Sequence, residues 1–247
     1  MEDTKIIKDY LQEVKDISGS VSIQDINKAV VIIYESWVKN RTIFICGNGG
    51  SASTASHFAC DLVKLGVKVY CLNDNPALMT AITNDNGFDE LYTEQMKNQF
   101  GQKDVLICLS VHGGTFIQHK GKIEMYRGKK VVTKDSEEVW SANIVNAAKF
   151  AKSRYGKVIG LIGYDGGLLK QFCEVPIIVG HSTPQTESWH LHIEHLICLL
   201  LKEYQPVKKC STCQRIYKID VLGCPSCGEN NYELSGGIIG NIEELKK

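Results

Sequence analysis

Residues 42–64 read TIFICGNGGSASTASHFACDLVK, in which a short apolar run, a glycine-rich turn and a helical pattern follow one another directly. The apolar run Thr42–Cys46 predicts a strand, and Ala52–Lys64 predicts a helix. A strand that leads straight into a helix is the repeating unit of an α/β protein.

The same unit recurs along the chain. Further strands are predicted at Val67–Cys71, Val105–Leu109, Val158–Ile162 and Val175–Val179. Helical patterns separate them, at Pro76–Thr83, Phe88–Phe100, Ser141–Ser153 and Gly167–Phe172. Two helices precede the first strand, and a long one, about Pro184–Glu203, follows the last strand. This alternation predicts a parallel sheet with helices on both faces.

The glycine-rich turn Cys46–Ser53 lies where open parallel sheets bind ligands, beyond the carboxyl end of a strand. Glycines let the backbone approach an anion, and the helix that follows offers free N–H groups. A merely tight turn is an equally good interpretation. The spacing matches neither a dinucleotide fingerprint nor a Walker loop, so no dinucleotide is predicted.

Histidines and carboxylates recur on two of the predicted helices. His57 and Asp61 are four residues apart and therefore share a helix face, as a metal pair, an acid–base pair or an ordinary surface contact. The last helix adds Glu187 and His195. His190 and His192, on the same helix, are interpreted as ordinary core or solvated histidines.

Four of the ten cysteines form two Cys-x2-Cys pairs near the end of the chain, separated by ten residues: Cys210, Cys213, Cys224 and Cys227. Two such pairs supply four thiolates for a tetrahedral zinc ion. A redox pair and a disulfide pair are the alternatives. We predict a structural zinc ribbon over residues 206–247, after a linker marked by Pro206 and Lys208-Lys209.

Composition limits the classes of partner. The chain of 247 residues carries 28 basic and 28 acidic residues, and this balance gives no electrostatic case for nucleic acid or an acidic membrane. The segment MEDTKIIKDY at the start has acids where a signal peptide is basic and then apolar, and no apolar stretch is long enough to span a bilayer. A cytoplasmic protein without a membrane partner is expected.

The segment Cys46–Leu62 resembles the signature of the phosphoheptose isomerases of the SIS (sugar isomerase) fold. The resemblance continues in order through residues 84–88, 104–110, 141–143, 160–167 and the last helix, and covers about residues 1–205. It implies an α/β, three-layer αβα fold with a five-stranded parallel sheet.

The resemblance also implies roles for individual residues. The metal positions of the family correspond to His57, Asp61, Glu187 and His195, and its acid–base pair corresponds to Asp61 and His195. Contacts to the sugar phosphate correspond to Asn48, Gly49, Ser51, Asp85, Ser110 and Ser141. Two residues depart from the usual types, because Asp61 replaces a glutamate and Glu187 replaces a glutamine. Two histidines and two carboxylates still form a good zinc site.

A larger departure splits the phosphate loop of the family. Ser110-Val-His-Gly-Gly114 begins this loop and Ser141 resumes it, so that an insertion of about residues 114–140 separates its two halves. No strand–helix alternation is visible there, and a long loop is predicted. His112 or the basic residues Lys120, Lys122, Arg127, Lys129 and Lys130 are expected to replace the lost phosphate contacts, with the insertion acting as a lid; a solvated basic loop is the alternative.

The implied reaction converts sedoheptulose 7-phosphate to D-glycero-D-manno-heptose 7-phosphate through an enediol. An active-site zinc and a homotetramer are implied with it. Two other functions stay open: a non-catalytic SIS adaptor, and a sugar-phosphate sensor whose zinc ribbon binds a partner. Because Asp220, Glu229 and Glu233 offset the basic residues of the ribbon, nucleic acid is not the expected partner.

Overall fold

The structure is a computed structural model, and it describes residues 2–119, 123–126, 129–132, 136–218 and 221–235. Its α-helices are α1 Glu2–Ser20, α2 Ile23–Val38, α3 Gly50–Leu65, α4 Pro76–Asn86, α5 Leu91–Met96, α6 Ala142–Ser153 and α7 Thr183–Glu203. The strands before the insertion are β1 Ile43–Gly47, β2 Val69–Cys71 and β3 Val105–Ser110. The later strands are β4 Phe116–His119, β5 Ile123–Tyr126, β6 Lys129–Val132, β7 Ser136–Val139, β8 Lys157–Ile162, β9 Val175–Ile178, β10 Val207–Cys210, β11 Ile216–Lys218 and β12 Tyr232–Ser235.

A parallel sheet of five strands forms the centre of the fold, in the order β2-β1-β3-β8-β9. The predicted α/β architecture and its five strands are therefore confirmed. Two predicted helices are shorter than expected, since residues 88–90 and 169–172 form 3-10 turns. The register pairs Gly47 with Leu109 and Ser110 with Ile162, so the strand ends that precede the functional loops meet at one edge.

Alternating side chains of each strand face two separate apolar layers. In β1, Ile43 and Ile45 pack with α2, α3 and α7, whereas Phe44 and Cys46 pack with α4, α5 and α6. Successive side chains of a strand point to opposite faces, so an apolar strand requires helices on both sides. The result is the predicted three-layer arrangement.

The insertion differs from the prediction of a long loop. Antiparallel pairs form between β4 and β7 and between β5 and β6. Strands of four residues are too short to show a clear period, which is why the pattern was missed. The sequence between β5 and β6 is Arg127-Gly128, however, and a two-residue connection that contains glycine is typical of a hairpin.

A second, smaller sheet follows α7. Its strands are antiparallel in the order β11-β10-β12, and they carry Cys210 at the end of β10. The division into residues 1–205 and 206–247 stays a prediction. Over the described residues, no helix combines the length and apolarity needed to cross a membrane.

Candidate active site

A cavity of about 220 Å³ lies at the carboxyl edge of the sheet. Its lining comes from the loops after β1 and β3 and from the first residues of two later helices: Asn48, Gly49, Ser51, Ser110, Val111, His112, Ser141 and Thr183. One cavity is therefore shared by five of the residues that the family resemblance assigns to the sugar phosphate: Asn48, Gly49, Ser51, Ser110 and Ser141.

Three helices begin at this cavity. Helix α3 begins at Gly50, α6 at Ala142 after Ser141, and α7 at Thr183. Free N–H groups and the positive end of the peptide dipoles favour an anion at each helix start. The hydroxyl of Ser51 is buried and has no hydrogen-bond partner among the described residues, so it is available to a ligand.

A network of side-chain amides fixes the turn after β1. Asn48 and Asn143 exchange two hydrogen bonds of 2.9 Å each, and Asn143 is fully buried. Asn73 accepts a hydrogen bond from the N–H of Gly47 at 3.1 Å and donates one to the Gly47 carbonyl at 2.9 Å. The hydroxyl of Tyr92 also donates to that carbonyl. Asn73 and Tyr92 were not found from the sequence, because their role depends on contacts between distant segments.

Two backbone features complete this end of the site. A side chain at residue 47 would place its Cβ 2.5 Å from the Ser51 carbonyl oxygen, so only glycine lets the turn close. Ser141 precedes α6 with a φ of 59°, a left-handed conformation that is uncommon for a non-glycine residue. Such strain is concentrated at ligand sites, and Ser141 lines the cavity.

A cluster of metal-type ligands lies further along α3. His57, Asp61, Glu194 and His195 each offer one ligand atom, and these atoms all lie within 4.8 Å of one another. His57 Nε2 is 3.6 Å from Asp61 Oδ2, and the two imidazole rings are 5.1 Å apart. Helices α3 and α7 pack side by side and bring the two halves of the cluster together. The structure therefore unites three of the four predicted metal residues.

Glu194 is the member of the cluster that the sequence analysis did not find. Its carboxylate is fully buried, and burial, followed by the charge of Asp61, raises its pKa to about 8. A buried glutamate on an amphipathic helix is not expected from sequence, because carboxylates are almost never buried without a partner. Its neighbours Asp61 and His195 face an open groove of about 660 Å³ between α3 and α7.

Two predicted site residues lie elsewhere. Glu187 is not a member of the cluster, and its carboxylate packs against Gly50, where an added Cβ would lie 2.5 Å from Oε1. Asp85 is exposed near the end of α4, accepts a hydrogen bond from Asn84 and does not line the cavity.

The insertion of about residues 114–140 supplies no lining residue to the cavity in the described part of the chain, and His112 lies just before it. His112 lines the cavity, stacks on Tyr164 at 5.0 Å and meets the ring of Trp140 edge-on at 5.0 Å. The predicted phosphate contacts Lys120, Lys122 and Arg127 lie outside the described residues, as do the side chains of Lys129 and Lys130.

The cysteines of the second sheet form a separate cluster. Cys210, Cys213, Cys224 and Cys227 have sulfur atoms within 4.8 Å of one another, and three of the pairs are 3.4–3.6 Å apart. Four sulfurs at 2.3 Å from a tetrahedral zinc ion are about 3.8 Å apart, so this cluster fits such an ion.

Comparison with known proteins identifies a family match and relatives of this chain. The SIS domain family matches residues 9–117. Phosphoheptose isomerase from Nitratiruptor sp. is 32% identical over 182 residues, which cover 71% of this chain and 83% of the relative. The lincomycin biosynthesis protein LmbN from Streptomyces lincolnensis is 32% identical over 206 residues, which cover 78% of this chain and 68% of the relative.

A solved structure shares the fold. Phosphoheptose isomerase GmhA from Neisseria gonorrhoeae superposes with a TM-score of 0.66 at 22% identity, over 82% of this chain and 99% of that chain. The chain belongs to the phosphoheptose isomerase family of SIS-domain proteins.

Proposed function

We propose that this protein is an aldose–ketose isomerase that converts sedoheptulose 7-phosphate to D-glycero-D-manno-heptose 7-phosphate. The observation that carries the proposal is the pairing of two sites. An anion-binding cavity lies at the start of α3, and a cluster of titratable side chains lies two turns further along the same helix.

The cavity suits the phosphate end of the substrate. The starts of three helices converge there, and the unpartnered Ser51 hydroxyl adds a donor. Hydrogen bonds to a charged group contribute roughly 1.5–3 kcal/mol each, so a few such donors hold a phosphate firmly.

The distance between the two sites suits a sugar of this length. Gly50 and His57 are seven residues apart, and a helix rises about 1.5 Å per residue, so they are separated by about 10 Å along α3. An extended carbon chain advances about 1.3 Å per bond, so the carbonyl carbon of a seven-carbon sugar lies roughly 9 Å from its phosphorus. A phosphate in the cavity therefore leaves the carbonyl near the cluster.

Asp61 and His195 are the proposed acid–base pair. In the forward direction the Asp61 carboxylate accepts the proton from the carbon beside the ketone, while the carbonyl oxygen takes a proton from water, and this gives an enediol. His195 then donates a proton to the former carbonyl carbon as the hydroxyl on its neighbour returns a proton to water. Asp61 and His195 regain their starting protonation states by proton exchange with water. Ketose and aldose are isomers, so the reaction needs no oxidant or reductant.

A divalent metal fits the same cluster. Two imidazoles and two carboxylates within 4.8 Å form a ligand set typical of zinc. His57, Asp61 and His195 would hold the ion with a carboxylate from α7, for which the sequence suggested Glu187. When bound, such an ion supplies Lewis-acid polarisation of the substrate carbonyl.

A structural zinc in the four-cysteine cluster is a separate part of the proposal. Its support is the match between the sulfur separations and tetrahedral geometry. A homotetramer and a cytoplasmic location stay predictions that rest on the family resemblance and on the sequence.

The test is incubation of the purified chain with sedoheptulose 7-phosphate, followed by NMR detection of heptose 7-phosphate. Asp61→Asn is the inactive control, and fructose 6-phosphate, which is one carbon shorter, tests the length argument. Turnover of the seven-carbon substrate by the wild type, lost in the variant, supports the proposal. Tight binding without turnover would favour the sugar-phosphate sensor instead.

A further inference from the structure

Glu194 places a carboxyl group in the interior of the protein, beside two histidines. Its side chain is fully buried, and neither carboxylate oxygen has a hydrogen-bond partner among the described residues. A carboxylate in such a place costs several kcal/mol unless a cation or a set of donors compensates for the lost water. The position therefore calls for a positively charged partner.

The nearest groups are the other members of the cluster. Glu194 Oε1 is 3.6 Å from His57 Nδ1 and 3.4 Å from His195 Nε2. Ligand atoms at 2.0–2.2 Å from a tetrahedral zinc ion are about 3.3–3.6 Å apart. The separations around Glu194 therefore leave room for an ion that His57 would bind through one of its two ring nitrogens.

Glu187 occupies a different environment on the same helix. It lies seven residues before Glu194, which is about 10 Å along the axis of α7. Its carboxylate packs on Gly50 at the start of α3, beside the anion cavity rather than within the cluster. A metal bound to His57 and His195 would have to draw Glu187 away from that contact.

We propose that Glu194, and not Glu187, is the α7 carboxylate that binds the divalent metal together with His57, Asp61 and His195. This inference rests on the metal site of the proposed function. Two carboxylates and two neutral imidazoles balance the charge of a dication, so the bound ion removes the cost of burying Glu194. Metal binding and the position of Glu194 are then coupled.

The test compares two substitutions of the same chemistry in the full chain, Glu194→Gln and Glu187→Gln. Each metal-free protein is titrated with Co²⁺, and binding is followed by absorption and by calorimetry. The cysteine site gives an intense sulfur-to-cobalt charge-transfer band, whereas a site of nitrogen and oxygen ligands lacks it, so the two sites are counted separately. In Glu194→Gln we expect the affinity of the second site to fall by at least about tenfold. In Glu187→Gln we expect a change of less than about twofold.

Glu194→Leu is the second variant, because it removes every ligand oxygen and replaces a buried, unbonded carboxyl group with an apolar side chain. We expect it to bind no second cobalt ion and to have a higher melting temperature than the wild type when both are metal-free. An unchanged charge-transfer band from the cysteine site would show that the ribbon of each variant is folded. Near-UV circular dichroism checks the sheet domain.

The outcomes separate the inference from the function on which it rests. A second ion that binds Glu194→Leu as tightly as the wild type, or an ion lost in Glu187→Gln alone, would overturn the role of Glu194 and leave the isomerase intact. A wild type that binds cobalt only at the cysteines would overturn both this inference and the active-site metal. Glu194 would in that case be the partner of a protonated histidine.

Discussion

The two clusters of metal-type ligands in this chain are supported by apolar cores of very different size. His57, Asp61, Glu194 and His195 project from α3 and α7, which pack on a large apolar layer of the central sheet. Of the four cysteines, Cys210 ends β10 and the other three lie in the connections between the short strands β10, β11 and β12. Over the described residues, their apolar cluster consists of Cys210, Tyr217 and Cys224 with Val221 beside it. The first cluster is therefore positioned by the fold, whereas the second has only a small apolar core over the described residues, and we expect its folding to depend on a bound metal.

The largest expected effect is the loss of the ribbon when one cysteine is changed. In Cys224→Ser, zinc binding that is worth about 10–16 kcal/mol in small zinc modules is lost, so strands β10–β12 should unfold. Hydrogen exchange should show fast exchange over residues 207–235, while β3 stays protected. The matched control is Cys60→Ser, at an exposed cysteine of α3. Protected amides in the Cys224→Ser ribbon would show that its core is sufficient without metal.

The second prediction concerns catalysis by the histidine–carboxylate cluster on α3 and α7. Asp61→Asn keeps the shape of the side chain and removes the basic carboxylate, so turnover should fall by about 10²–10⁴-fold. His57→Ala should lose activity as well, and the second metal with it. Because neither side chain is part of the apolar layer, circular dichroism should be unchanged in both. Asp16→Asn, on the exposed face of α1, is the control. Normal turnover in both Asp61→Asn and His57→Ala would show that the site is assigned wrongly.

A smaller effect is expected at the phosphate end. Ser51→Ala removes the unpartnered hydroxyl from the cavity, and the loss of one hydrogen bond to a charged group should raise the KM for the phosphosugar by about tenfold to hundredfold. The value of kcat should change much less. Ser153→Ala is the control, since its hydroxyl is exposed and donates to the Phe150 carbonyl. An unchanged KM would remove Ser51 from the binding site.

The last prediction concerns the pH dependence of stability that buried His190 of α7 produces. Burial lowers the pKa of His190 to about 3, and neither ring nitrogen has a hydrogen-bond partner among the described residues. The unfolded chain binds the proton near pH 6.5, so this residue's contribution to stability is present above that pH and is lost as the pH falls.

Between pH 7 and pH 5 the wild type should therefore lose about 2 kcal/mol more stability than His190→Leu does, because only the wild type carries this histidine. Urea unfolding of both proteins at the two pH values measures this difference. Exposed His181 provides the control variant, His181→Leu, in which the loss should persist. An equal loss in His190→Leu and in the wild type would show that His190 is protonated in the folded protein.

The sequence predicted most of the fold because its signals are local. Each of the five parallel strands is a short apolar run bounded by polar residues, and each was located to within about two residues. The cysteine pairs are local too, since their spacing along the chain is itself the ligand pattern. The pairing of β4 with β7 in the insertion was missed because the paired residues are 17 to 23 positions apart in the chain.

The sequence by itself determined the α/β architecture, the turn after β1 and the four-cysteine pattern, because hydrophobic period and residue spacing act within one segment of chain. The residue types of the histidine–carboxylate cluster came from the family resemblance. Only the tertiary structure decided which carboxylate of α7 faces His57, since Glu187 and Glu194 lie on one helix and the packing of α7 on α3 chooses between them. It also decided that three helix starts share one cavity, and that Asn73, Tyr92 and Asn143 fix the turn there. Those contacts join residues that are far apart in the chain, and no local sequence pattern predicts them.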